Sequence, residues 1–165
     1  MEGRGELFPV QDEGETGPQK LRRLNDIYSF AERRQIDIDR FAMDRAESLS
    51  LPLPDGRCAI AIDPEKIVSE ADEKGKLLHE IGHCERGAFY NRYAACDVRR
   101  KHENRADKWA VQHVLSAADL DEAVADGYTE MWELAEHFGV TEEFMRKAVC
   151  WFVHGNLAVD EYMNW

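Results

Sequence analysis

Residues 77–84 read Leu77-Leu78-His79-Glu80-Ile81-Gly82-His83-Cys84. This stretch decides the architecture. It spells H-E-x-x-H, and on a helix positions i and i+4 lie one turn apart on one face, so two imidazoles can reach one metal ion. Glu80 sits beside them and can take the proton of an attacking water. Ser69 and Asp72 supply a capping-box-like start upstream, and Gly87 supplies a stop. The spacing therefore predicts one helix over 69–87 that carries all three residues.

Catalytic zinc sites use three protein ligands and leave one position open, so the two histidines need one more partner. Twenty positions after His83 comes Glu103, with Asp107 one helical turn further on. Glu103 is the foremost candidate for the third ligand; His102, Asp97 and Asp107 remain as alternatives. With Glu103 as ligand, Asp107 is expected to accept a ring N–H from His79 or His83 and fix its orientation. Ala106 and Ala110 are small, which lets the two helices approach closely enough to share an ion. Two histidines and a carboxylate favour Zn²⁺, though manganese and iron use similar donors.

These residues resemble those of the ImmA/IrrE family of small, gluzincin-like metallopeptidases. Members carry HExxH and a downstream E-x-x-A-[ND]-x-[FW]-A, matched here by His79, Glu80 and His83, then Glu103, Ala106, Asp107, Trp109 and Ala110. The specific motifs occupy 77–84 and 103–110, and the resemblance extends over about residues 20–155. It implies a zinc-dependent endopeptidase on a zincin-like body, with His79, His83 and Glu103 holding the metal and Glu80 as general base. It also implies a substrate: a helix-turn-helix repressor of a phage, mobile element or stress regulon, cut to relieve repression.

The rest of the chain bounds these expectations. At 165 residues it suits one domain, taken as 19–165. Residues 1–18, rich in Gly, Glu and Pro, read as a disordered tail. The longest apolar run is the six residues 148–153, far short of a membrane span. With no signal peptide, a cytoplasmic location is expected. Cys58, Cys84, Cys96 and Cys150 have no paired spacing, so each is expected to be a small buried hydrophobe rather than part of a disulfide or a metal site. A net charge of −12 argues against nucleic-acid binding and for a basic protein partner.

The fold expected is α+β, a small antiparallel sheet packed on a mainly helical body. A helix is expected over 19–34; residues 36–46 are less clear, the start of a second short helix or of a strand. Leu49, Leu51 and Leu53 alternate before the Pro54-Asp55-Gly56 turn, and Ala59–Ile62 return as the second strand of a hairpin. Residues 58–62 are the candidate edge strand that would pair with an extended substrate. Tyr90 and Tyr93, in the link after the histidines, either pack or donate to an oxyanion. Four helices follow near 98–115, 120–126, 130–138 and 142–154, with Asp119, Thr129 and Thr141 as N-caps.

Residues 130–154 also look like a helix-turn-helix, which opens a DNA-binding alternative. Its second helix would begin Thr141-Glu142-Glu143, and two carboxylates at that end repel phosphates. Trp132, Phe144, Trp151 and Phe152 are expected to close the core instead. A non-catalytic regulator that merely grips a repressor is the other alternative, although such a binder has no need of Glu80.

Overall fold

A computed structural model of the chain describes residues 18–159. The tail expected over 1–18 lies outside them, apart from Pro18. In chain order the elements are α1 (Leu24–Arg33), β1 (Ile36–Arg40), β2 (Ser48–Pro52), β3 (Cys58–Ile62), α2 (Glu70–Arg86), α3 (Cys96–Val114), α4 (Ala117–Ala125), α5 (Met131–Phe138) and α6 (Glu142–His154). The class is α+β with a mainly helical body. Among the described residues no helix is long and apolar enough to cross a membrane.

The sheet is mixed rather than antiparallel. Its order is β1-β3-β2, with β1 parallel and β2 antiparallel to β3. Of the two readings open for 36–46, the strand is the one that forms, as β1, and residues 58–62 form the central strand, not an edge. Cys58, Ile60 and Ile62 are buried against the helices, which suits a strand paired on both sides. Directly opposed residues share a face. Ser48 and Ser50 oppose Ile62 and Ile60, so the serines of β2 face the helical side while Leu51 is exposed. The leucine alternation marks the outer face.

α2 is the central element. Ser69 Oγ accepts from the Asp72 N–H at 3.1 Å, and Gly87 closes the helix in the left-handed region at φ 56°. Its apolar side, Leu77, Leu78 and Ile81, is fully buried. α2 packs most extensively on α3, and Gly82 is where the backbones meet: a Cβ there would lie 2.6 Å from the Ala106 carbonyl oxygen. Small residues on both sides set the distance between these helices.

α1 begins later than expected because residues 20–22 run along the end of α3 instead. The Leu21 N–H donates to the His113 carbonyl at 2.6 Å and Arg22 Nε to that of Val114 at 2.9 Å. Ser116, not Asp119, caps α4; Asp119 is the third residue of its capping box. Glu130, not Thr129, caps α5, whereas Thr141 caps α6 as expected. Phe144 is buried and Trp151 and Phe152 pack against the core, but Trp132 is 55% exposed.

The cysteines depart from expectation in two ways. Cys58 and Cys84 are joined in a disulfide that ties the central strand to α2, one residue past His83. Their separation of 26 positions shows no local spacing signal. Of the two cysteines outside the disulfide, Cys96 is exposed and Cys150 is buried.

Candidate metal centre

The site lies where α2, α3 and β2 converge. One turn of α2 separates His79 from His83, and both rings leave the same face. Their Nε2 atoms are 3.1 Å apart. Glu103 reaches across from α3, placing Oε2 3.0 Å from His79 Nε2 and Oε1 3.3 Å from His83 Nε2. Of the four candidates for third ligand, the fold brings Glu103 to the histidines. Asp97 is exposed at the start of α3. His102 lies beside the Tyr90 ring at 6.1 Å, and Asp107 sits behind His79.

The ring tautomers follow from the partners. His79 Nδ1 lies 2.7 Å from Asp107 Oδ1, and His83 Nδ1 lies 2.6 Å from the Ala88 carbonyl oxygen. Both partners only accept, so each Nδ1 carries a hydrogen, and each Nε2, facing Glu103, is the nitrogen left to take a proton or a metal. The Ala88 carbonyl arrives there because the left-handed turn at Gly87 ends α2 and folds the chain back, with the Ala88 N–H donating to the His83 carbonyl at 3.0 Å. The residues that stop the helix thereby orient its second histidine.

Two nitrogen lone pairs and a carboxylate facing one another require a cation between them. Burial pushes the His79 imidazolium down, but hydrogen bonds to Asp107 and Glu103 outweigh it and hold its pKa up at about 10. The bonds from His79 and His83 hold the Glu103 carboxyl well below the usual carboxylate range. The cluster can satisfy itself with a proton or with a metal. Ligands at about 2.0–2.1 Å in a tetrahedron are about 3.3 Å from one another; the two Nε2 atoms stand near that separation, and each oxygen of Glu103 does so toward one of the histidines. His79, His83 and Glu103 therefore form a group that can hold one metal ion.

Glu80 points into the same cleft, of about 320 Å³, and is buried. Ser48 Oγ donates to its Oε1 at 2.8 Å, and among the described residues no other hydrogen bond reaches this carboxylate. Tyr90 lines the cleft and donates to Glu103 Oε1 at 2.7 Å; that bond, with burial, raises the phenol to about 12. Tyr93 is 81% exposed and outside the cleft. Ser48 and Ser50, on the edge strand β2, form one wall.

Sequence reasoning missed Ser48, the Ala88 carbonyl and Lys147, whose Nζ lies 3.1 Å from Asp107 Oδ2. Alternation in the hairpin could have found Ser48, had the serine face been followed instead of the leucine face. Nothing local signals Lys147, which lies 40 residues beyond Asp107.

A family model described as Peptidase M78, IrrE N-terminal-like domain, matches residues 31–149. Among solved structures, a Mycobacterium tuberculosis transcriptional regulator is similar with a TM-score of 0.55 at 12% identity, over 74% of this chain and 38% of that one. At that identity the likeness is one of fold alone, and the chain spans well under half of the regulator's length. No curated protein matches.

Proposed function

The chain belongs to the IrrE N-terminal-like peptidase family, and from that premise we propose that it is a zinc-dependent endopeptidase whose substrate is a basic helix-turn-helix repressor. One observation carries the reading: two imidazoles with tied Nδ1 atoms and a carboxylate converge beside a buried glutamate held by the Ser48 hydroxyl.

His79, His83 and Glu103 would hold the ion. Zinc in a three-ligand site supplies Lewis acidity, lowering the pKa of water and polarising a carbonyl. Glu80 is the general base: the oxygen not engaged by Ser48 takes a proton from the attacking water and passes it to the leaving amine. Ser48 holds that carboxylate in place. Asp107 and the Ala88 carbonyl keep both rings in the tautomer that faces Glu103.

An extended peptide would pair with the free edge of β2, whose Ser48–Ser50 segment borders the cleft. This transfers to β2 the role that the sequence suggested for 58–62. The Tyr90 hydroxyl, at the cleft, is placed to release Glu103 and donate to the developing oxyanion. A net charge of −12 favours encounter with a basic partner.

DNA binding by α5–α6 is disfavoured by its own cations. Lys147 is engaged by Asp107, and Arg146 stands beside Glu142 at 3.3 Å, so the first turns of α6 offer phosphates little net positive charge. The test is to incubate zinc-loaded protein and its Glu80→Gln variant with a basic helix-turn-helix repressor. Cleavage by wild type and none by the variant, with zinc retained by both, is expected. A repressor bound but left intact by wild type would favour the non-catalytic regulator.

A further inference from the structure

We infer that Lys147, on the helix that resembles a DNA reader, is a positioning residue that sets the orientation of His79 through Asp107. The inference rests on the metal-site reading above and adds to it a third layer, drawn from α6.

The two oxygens of Asp107 are divided between two helices. Oδ1 accepts from His79 Nδ1 on α2 at 2.7 Å, and Oδ2 lies 3.1 Å from Lys147 Nζ on α6. The Asp107 side chain is 16% exposed, so its contacts are little diluted by water. Lys147 also lies 3.7 Å from Glu143, but that carboxylate is 84% exposed, and a pair of that kind contributes little. Asp107 is the partner that matters. A carboxylate fixed at one oxygen can still turn about its side-chain bonds; fixed at both, it presents Oδ1 to the imidazole in one direction only.

The cation is itself held by a rigid element. Met145 and Ala148, on either side of Lys147, are fully buried, and Phe144 packs in the core. Lys108, the neighbour of Asp107 on α3, places Nζ 4.5 Å above the Trp151 ring of α6. Packing thus sets the height of Lys147 against α3 independently of the ion pair. The helix pair 130–154 acts as a strut for the metal centre, which gives α6 a role in the chemistry without any contact to a ligand.

The experiment measures the zinc dissociation constant by chelator competition on wild type, Lys147→Met, Lys147→Arg, Asp107→Asn and the Asp107→Asn/Lys147→Met double variant, each checked for folding by thermal melting. Losing an outer hydrogen-bonding partner of a ligand weakens metal binding about 10–100-fold, and Lys147 acts one step further out, so about tenfold is expected for Lys147→Met. Lys147→Arg should stay near wild type, and Lys147→Met should cost nothing further once Asp107 is Asn. Wild-type affinity in folded Lys147→Met, or an undiminished loss in the Asp107→Asn background, would overturn the inference while leaving the metal site standing. A wild type that binds no zinc would remove the metal site and the inference together.

Discussion

Gly82 separates the two helices that carry the three candidate ligands, and replacing it by alanine tests whether that spacing is what builds the site. The added Cβ would lie 2.6 Å from the Ala106 carbonyl oxygen and 3.0 Å from its Cα. Both are backbone atoms and cannot turn aside. Restoring ordinary contact at 3.4 Å requires about 0.8 Å of separation between α2 and α3. His79 and His83 ride on one helix and Glu103 on the other, so their 3.0 and 3.3 Å separations would lengthen past the tetrahedral edge of about 3.3 Å. Overpacking of this kind costs about 1–3 kcal/mol, nearer the upper end against backbone. The gain in helix propensity from Gly to Ala, about 1 kcal/mol, offsets part of it. A net loss of about 1–2 kcal/mol lowers Tm by about 2–8 °C in a domain of this size. Gly75, on the same helix with nothing near its Cβ position, is the internal control: G75A should gain stability and keep its zinc affinity. The assay is thermal melting of the metal-free proteins with zinc affinity measured alongside. G82A should lose at least about tenfold in affinity, since moving a ligand is worse than losing an outer hydrogen bond. If G82A were as stable as G75A and bound zinc like wild type, the spacing argument would be refuted.

Zinc and protons compete at His79, whose metal-free pKa is about 10. Below that value apparent affinity should weaken about tenfold per pH unit for each proton displaced, so the rise in Tm on adding zinc should be larger at pH 8 than at pH 6. The metal-free fold shifts in the opposite sense: the stability contributed by His79 is fully present below 6.5 and is lost as pH climbs through about 10. An increment independent of pH would contradict this. S48A should lower kcat about tenfold with zinc content unchanged, the low end for a hydrogen bond to a charged group, because Ser48 is the group that holds Glu80. D119A should destabilise by about 1–2 kcal/mol in urea melts at pH 7, since Asp119 completes the α4 capping box and accepts from Lys20 at 2.6 Å. Burial works against ionisation of Asp119, but the bonds from Lys20 and Ser116 hold its carboxyl well below the usual range. Its contribution is therefore fully present above about pH 3.8 and lost as pH falls through the lowered value, so the gap between wild type and D119A should narrow as pH is taken below 3.8.

The parts of the site legible in the sequence are those that share a helix. His79, Glu80 and His83 lie within five positions between a serine cap and a glycine stop, and helical geometry alone brings them to one face. Glu103 and Asp107 were legible because they too sit one turn apart, with Ala106 and Ala110 announcing a close helix contact. What stayed hidden depends on partners distant in sequence. β1 carries a short alternation, Ile36-Asp37-Ile38-Asp39, that leaves a strand or a helix start open; what fixes it is parallel pairing with β3, a strand 22 positions later in register. The alternation in β2 does not say which set faces inward; pairing with Ile62 and Ile60 puts Ser48 and Ser50 on the helical side. The disulfide and Lys147 are contacts across 26 and 40 positions, set by how α2, β3 and α6 pack.

The measurement that bears most directly on the account is metal content by mass spectrometry on wild type, H79A/H83A, E103A and E80Q, purified in parallel without chelator and supplied with zinc. One equivalent of zinc in wild type and in E80Q, lost in H79A/H83A and weakened in E103A, is the result predicted for three ligands beside a base that does not bind the ion. Wild type without metal after zinc is supplied, or E80Q that loses it as fully as H79A/H83A, would contradict the assignment of the site.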